Sequence, residues 1–184
     1  MLVNDESLAE RAEILREKGT DRSRFLRGER DKYTWVDLGS SYLPGELIAA
    51  FLCAQLEELD SITKKKLAIW NQYQEALLPL EEEGLLRRPY VPPGCAHNGH
   101  LYYVLLKDSD TRDATIAAMK ARGIHTVFHY VPLHSSPAGR RFGRTHGALS
   151  VTEDACGRLL RLPSWVGLNE TPAIARKLEE CLKS

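Results

Sequence analysis

The longest helical periodicity in the chain lies between Pro44 and Leu80. Ile48, Leu52, Leu56, Leu59 and Ile62 recur at three- and four-residue spacing, and Trp70, Tyr73 and Leu77 continue the stripe. Between Ile48 and Leu56 only Gln55 is polar. A helix apolar on all sides asks for cover on all sides. One unbroken helix over this span would extend about 55 Å at about 1.5 Å per residue. A compact chain of this length has a radius of gyration of about 16 Å. The pattern therefore predicts a kink near Asp60-Ser61, or a helix running between bodies not all contained in this chain. Its first half is expected to be an interface element.

Before this helix, Met1-Leu2-Val3 reads as the end of a buried strand, and Asp5 or Ser7 caps a helix from about Leu8 to Lys18 that stops at Gly19. A three-residue strand needs neighbours that no upstream segment of this chain supplies. Residues 20–37 mix Arg22, Arg24, Arg27, Arg30 and Lys32 with Asp21, Glu29, Asp31 and Asp37, and read as a long charged loop. Pro44 suits the first turn of the following helix. From Leu85 the pattern changes. Pro89, Pro92, Pro93 and Gly94 mark a connector, Leu101–Lys107 reads as a strand, and Asp110 or Thr111 caps a helix to about Arg122. Ile124–Tyr130 is expected as a second strand, Pro132–Ser150 as a loop and Val151–Leu160 as a helix. Arg161-Leu162-Pro163 is a short extended piece, and Thr171 caps an amphipathic helix to Leu182 with Pro172 at its first position. Strands alternating with helices imply a small α/β layer structure.

Composition removes several classes of function. Lys plus Arg and Asp plus Glu are 25 each, giving zero net charge, so nothing points to nucleic acid, whose binders show a basic excess. No apolar run approaches the roughly 18 to 20 residues of a membrane span, and the N-terminus lacks the basic and apolar regions of a signal peptide. Cys53, Cys95, Cys156 and Cys181 are scattered without a CxxC pair, which fits a reducing cytoplasmic setting better than a disulfide framework. His125 and His129 share a face of the expected strand but stand roughly 13 Å apart on it, so His125, His129 and His134 are not expected to hold one metal ion.

Five segments together resemble the DegT/DnrJ/EryC1/StrS aminotransferases: Glu17–Phe25, Asp31–Trp35, Gly39–Leu43, Phe128–His134 and Arg158–Pro163. The resemblance covers essentially the whole chain. It implies an α/β fold, the C-terminal part of a fold type I enzyme dependent on pyridoxal 5'-phosphate. Residues 1–42 would be a remnant of the large cofactor-binding domain, 43–83 a long connecting and interface helix, and 84–184 a small C-terminal α/β domain. The family works as a homodimer and moves an amino group, typically from glutamate, onto a keto-sugar nucleotide such as a dTDP-4-keto-6-deoxyhexose, here for envelope or antigen polysaccharide biosynthesis. The family's Schiff-base lysine, which shuttles the proton, would lie upstream of the position matched by Met1, and no lysine here matches it. Lys64, Lys65 and Lys66 read as a solvated helix face. The expectation is therefore a C-terminal fragment, inactive by itself, with no catalytic residue of its own.

The resemblance also assigns sites. Many members carry Gly-x-Asn-x-Arg before the interface helix, reaching the phosphate of the partner subunit's cofactor. Here Ser41 holds the Asn position and Leu43 the Arg position, making Ser40, Ser41 and Tyr42 the cofactor-binding candidates; hydroxyls and loop N–H groups bind phosphate oxygens. The plain structural reading is a turn before a helix. Tyr130 and His134, in the Tyr-x-Pro-x-His loop, are candidates for contacts to the sugar or amino donor, against a loop merely packed by Pro132. His100, after Asn98-Gly99, is a third substrate candidate, with a structural hydrogen bond as its plainer role. Arg22, Arg24 and Arg27 could face an anionic nucleotide, though a charge-balanced solvated loop is the simpler reading. Cys53 is expected in the core. Rival readings are a non-catalytic interaction module docking on an intact relative, and a remnant without function. The apolar Ile48–Leu56 surface predicts concentration-dependent self-association of the purified chain. Sedimentation velocity showing a monomer at all concentrations would contradict that expectation.

Overall fold

The computed structural model describes residues 2–183 and divides the chain into two compact units, Met1–Glu58 and Leu59–Ser184. The stretch 43–83, expected as one connecting element, is shared between them. Neither unit contains a helix long and apolar enough to cross a membrane among the described residues.

In the first unit the Asp5 carboxylate accepts from the backbone N–H and hydroxyl of Ser7, at 2.9 and 2.6 Å. It opens a 3₁₀ turn, Glu6–Leu8, that leads into α1, Ala9–Arg16. Leu2 and Val3 are exposed and form no strand, because no described segment pairs with them; Met1 lies outside the described residues. The chain reverses at Lys18 and Gly19, with φ of 63° and 77°, and the Gly19 N–H returns to the Ile14 carbonyl at 2.8 Å. The charged stretch after it is not loop throughout. Arg22–Leu26 forms α2, and Thr20 bridges to Trp35.

This unit is held by backbone and charge rather than by apolar packing. Val36 and Asp37 donate to the Gly19 carbonyl at 2.8 and 3.0 Å, and Lys18 donates to Ser40 at 3.1 Å. A Cβ on Gly39 would lie 2.0 Å from the Gly19 nitrogen, so two backbone runs touch where only glycine fits. Asp21 and Glu17 are buried: the Asp21 carboxylate accepts from the Thr34 N–H at 2.7 Å, and Glu17 accepts from the Ser23 hydroxyl at 3.3 Å. No apolar side chain of this unit is buried among the described residues.

Helix α3, Glu46–Glu57, follows Gly45 and ends at Glu58, two residues before the expected kink. None of its residues is buried; Leu47 is 88% and Phe51 70% exposed. Cys53, expected in the core, is exposed on it. The pattern identified the apolar helix, but the described residues do not bury any of it.

The second unit has a conventional core. Helices α4 (Leu59–Ala76) and α5 (Leu78–Glu82) precede β1, Tyr102–Leu105. Helix α6, Ser109–Ala121, is capped by Asp108 rather than Asp110 or Thr111: its carboxylate accepts from the Thr111 N–H at 2.8 Å and hydroxyl at 2.7 Å. These hydrogen bonds hold the Asp108 carboxyl below its ordinary pKa. Only Val127–Phe128 of the expected second strand forms β2. The expected loop 132–150 instead contains a 3₁₀ turn, Leu133–Ser135, and α7, Pro137–Phe142. Helix α8, Ser150–Arg158, runs directly into β3, Leu159–Leu162, and α9, Thr171–Lys183, closes the chain. The Thr171 hydroxyl is buried without a hydrogen bond, so it does not cap by its side chain.

The short extended piece at Arg161 is the central strand. The sheet order is β1-β3-β2, with β3 antiparallel to both neighbours. Tyr102 lies opposite Leu162 and Val104 opposite Leu160, and these four buried residues face the core. Tyr73 and Leu77 of the α4 stretch, Met119 of α6, and Ile174 and Leu178 of α9 complete it.

Two outcomes follow from this packing. Leu160→Ala is expected to cost about 2–5 kcal/mol of the second unit's stability, read by chemical denaturation. Gly39→Ala is expected to strain the first unit by about 1–3 kcal/mol and to accelerate proteolytic cleavage near residues 37–44, while leaving Trp70 and Trp165 fluorescence of the second unit unchanged.

Candidate functional site

The Gly39–Leu43 loop is positioned by α1. Ser40 donates to the Leu15 carbonyl at 3.0 Å and Tyr42 to the Arg16 carbonyl at 3.2 Å, while Ser41 bridges to Glu17. Ser41 lines a cavity of about 240 Å³ with Arg16, Glu17, Lys18, Thr20, Arg22 and Tyr33. Glu17 is engaged by the Ser23 hydroxyl. The side chains of Ser41, Lys18 and Arg22 have no hydrogen-bond or ion-pair partner among the described residues. Tyr42 is 71% exposed and lines a different, more apolar cavity with Val3, Ala12 and Leu15. The three expected residues thus do not share one pocket: Ser41 faces a cationic hollow, and Tyr42 a greasy one.

Tyr130 and His134 are brought together by α8. The Cys156 thiol donates to the Tyr130 carbonyl at 3.1 Å, and His134 Nε2 meets Glu153 Oε1 at 2.8 Å. Cys156 and Glu153 sit on the same helix, so two points fasten the loop to one support. Tyr130 presents its ring to solvent at 79% exposure, while His134 is half-buried. His129 packs edge-on against Tyr130 with ring centres 5.2 Å apart, and its Nδ1 is buried without a partner. His125 and His129 flank the two-residue β2 rather than sharing a strand. Among the described residues no group of three or more His, Cys, Asp and Glu is arranged to hold a metal.

His100 stands apart from that loop. It is exposed, and only its backbone N–H is engaged, by the Asn98 side chain at 3.0 Å. The neighbouring Gly99 is the packed residue; a Cβ there would lie 2.9 Å from the Lys66 carbonyl. Lys66 departs from the solvated reading. Its ammonium donates to the Ser164 carbonyl at 2.7 Å and hydroxyl at 3.0 Å, and burial pulls its pKa below the ordinary value. Arg24 pairs with Glu10 and Glu29, and Arg27 with Glu13 and Glu29. Both are neutralised locally, which leaves only Arg22 of that trio free to meet an anion.

The His134 loop opens on a larger cavity of about 650 Å³, lined also by Arg140, Arg144, Thr145, Leu149 and Thr152. Arg140 and Arg144 were not among the residues expected from the motifs. A signal for them exists in the sequence: residues 114–152 contain five Lys and Arg and no Asp or Glu, in a chain of zero net charge.

Comparison with known proteins agrees with this architecture. The DegT/DnrJ/EryC1/StrS aminotransferase family model matches residues 1–178. The chain is 32% identical over 164 residues to dTDP-3-amino-3,4,6-trideoxy-alpha-D-glucose transaminase of Streptomyces venezuelae, covering 89% of this chain and 39% of that protein. It is 29% identical over 171 residues to dTDP-4-dehydro-2,3,6-trideoxy-D-glucose 4-aminotransferase of Saccharopolyspora spinosa, covering 90% and 43%. Among solved structures it superposes on S. venezuelae DesV, determined with a ketimine intermediate, at a TM-score of 0.77 and 28% identity, covering 100% of this chain and 46% of that one. The chain spans less than half the length of these relatives. With nearly all of its residues matched, the chain belongs to the DegT/DnrJ/EryC1/StrS aminotransferase family.

Proposed function

We propose that these residues form the C-terminal part of a pyridoxal-phosphate-dependent sugar-nucleotide aminotransferase. The intact protein would transfer an amino group from glutamate to a dTDP-4-keto-6-deoxyhexose. The observation that carries the reading is the fastening of Tyr130 and His134 to α8, which holds a polar, partly exposed loop rigidly beside a cavity in a chain of this family. On this reading residues 1–42 belong to the large domain, 43–83 connect and form the interface, and 84–184 are the small domain. The lack of buried apolar side chains among the described residues of the first unit supports it, since such a unit gains its burial from other chain. The exposed face of α3 supports a homodimer in which it is covered.

Residues of this chain fit the cofactor's phosphate. Ser41 supplies a free hydroxyl, and Lys18 and Arg22 supply unpaired cations around the same hollow. Ser40 contributes backbone already committed to Leu15 and Lys18, and Tyr42 closes the apolar side. When bound, pyridoxal phosphate supplies the electron sink through which an amino group changes carriers. The proton-shuttling lysine of the family has no match in these residues, so this chain's part is binding and orientation. Tyr130 offers a hydroxyl and a ring face to the sugar or amino donor. The His134 imidazole, with one nitrogen engaged by Glu153, is fixed in orientation toward the same space. His100 is the third candidate for substrate contact.

The Gly39-Ser40-Ser41-Tyr42-Leu43 form resembles that of dTDP-4-amino-4,6-dideoxygalactose transaminase, which makes that amino sugar the product to test first. Such a reaction places the protein in the cytoplasm, in polysaccharide biosynthesis. A second reading, a non-catalytic module that docks through α3, draws on the exposed Leu47, Ile48 and Phe51.

A chimera joining the front part of the Streptomyces venezuelae transaminase to residues 2–184 separates the two. Glutamate-dependent amination of dTDP-4-keto-6-deoxyglucose, read as 2-oxoglutarate release, is expected. Tyr130→Ala should then raise KM for the nucleotide sugar roughly tenfold, about 1.4 kcal/mol of lost binding. A chimera that binds cofactor but aminates no keto-sugar nucleotide would favour the docking module.

A further inference from the structure

The loop between Cys95 and His100 holds an Asn-Gly pair in a setting that activates it. The asparagines of the chain are Asn4, Asn71, Asn98 and Asn169, and only Asn98 precedes a glycine. Glycine is required there. Gly99 is buried with φ of 60°, and a Cβ on it would lie 2.9 Å from the carbonyl carbon and oxygen of Lys66. Its nitrogen therefore has no side chain to shield it. That nitrogen is not held in a helix or strand either; its N–H donates to the imidazole Nδ1 of His97 at 3.3 Å. An accepting Nδ1 leaves the imidazole neutral, with its proton on Nε2. The His97 ring is seated against Trp70, with ring centres 4.4 Å apart. On the other side, Asn98 Oδ1 accepts from the His100 N–H at 3.0 Å.

Together these contacts are the parts of an intramolecular acyl transfer. A base touches the N–H of the nucleophile. A backbone donor polarises the electrophilic carbonyl and stabilises the charge that develops on its oxygen. The reacting groups belong to adjacent residues, so their encounter is already arranged. Asn98 is exposed, which lets ammonia leave and water enter.

We propose that Asn98-Gly99 is a self-modifying site, which loses ammonia through a cyclic imide and thereby loosens the loop from α4. The Gly99 nitrogen bonds to Asn98 Cγ as its proton passes to His97 Nδ1, and the Cγ–Nδ2 bond breaks. His97 returns the proton to the departing nitrogen, which leaves as ammonia. Water then opens the imide at either carbonyl, giving aspartate or isoaspartate; nothing is oxidised or reduced. The isoaspartyl form runs the main chain through Cβ and Cγ of residue 98 and is one carbon longer. Gly99, buried against the Lys66 carbonyl, has no room for that carbon. The disturbance reaches further through Lys66, whose ammonium holds the Ser164 carbonyl and hydroxyl at 2.7 and 3.0 Å. The chemistry needs only water, so it stands apart from the aminotransferase reading.

Peptide mass spectrometry follows the conversion in the purified 184-residue chain, stored at neutral pH and sampled over days, and isoaspartate is read by enzymatic methylation. Asn98 is expected to convert at least roughly tenfold faster than Asn4, Asn71 or Asn169, a comparison that needs no variant. His97→Phe keeps a ring against Trp70 but removes the acceptor, and should slow conversion roughly tenfold. Asn98→Gln, which would have to close a larger ring, should stay unconverted. Far-UV circular dichroism checks the fold of each variant. The isoaspartyl protein, separated by anion exchange, should melt about 4 °C below the parent chain. Asn98→Asp has the new charge without the extra carbon and should melt with the parent. Conversion of Asn98 no faster than that of the other asparagines, an unchanged or higher rate in His97→Phe, or equal melting of the isoaspartyl and parent chains would overturn the proposal.

Discussion

Tyr73 of α4 and Tyr102 of β1 stack with ring centres 4.9 Å apart and no exposure to solvent. The Tyr73 hydroxyl donates to the Pro163 carbonyl at 2.9 Å, immediately beyond β3. One aromatic pair thus joins the long helix, the first strand and the end of the central strand. Each buried ring removes a large apolar area from water, worth about 1.5–3 kcal/mol by transfer. From this point the rest of the second unit follows. β3 is fixed between β1 and β2, and α8 runs into β3 without a loop. The Arg158 guanidinium seals that junction by donating to the Leu106 carbonyl at 2.7 Å. α8 then holds Tyr130 through Cys156 and His134 through Glu153. The candidate site is rigid because its support continues directly into the core.

The first unit rests on different physics. Its reversal at Gly19, its contact between Gly19 and Gly39, and its buried Asp21 and Glu17 are all polar or backbone features. Hydrogen bonds of this kind specify shape but add only about 0.5–1.5 kcal/mol each net of water. Apolar burial, the larger source of stability, is missing there among the described residues, while α3 displays Leu47, Ile48 and Phe51. The Ser41 loop is likewise held by its backbone, and the Ser41 hydroxyl has no hydrogen-bond partner among the described residues.

The site was legible unevenly. The Tyr130 and His134 loop stood out through the resemblance of Phe128–His134 to the family's motif. Its attachment was not legible, since Cys156 and Glu153 lie more than fifteen residues away and neither belongs to a motif. Ser40, Ser41 and Tyr42 were visible as one loop, yet adjacent residues in extended backbone face opposite sides, which sends Ser41 and Tyr42 to different cavities. Arg140 and Arg144 lacked any motif. Their signature was the missing acid across residues 114–152, which appears only when charge is counted by segment rather than over the chain.

Periodicity by itself located the helical stretches that hold α3 with α4, α6, α8 and α9, because helical amphipathicity is local and repeats within a few residues, but it ran α8 two residues into β3. Family-specific motifs determined the membership of the chain. Tertiary structure alone decided that Leu159–Leu162 is the central strand, that β2 shrinks to two residues, and that Lys66 leaves solvent for Ser164. Strand order and the partners of a charge depend on residues far apart in sequence, and no local window contains them. The helix break at Glu58 falls two residues before the kink expected near Asp60-Ser61: helix length against chain size marks the region, and the structure fixes the residue.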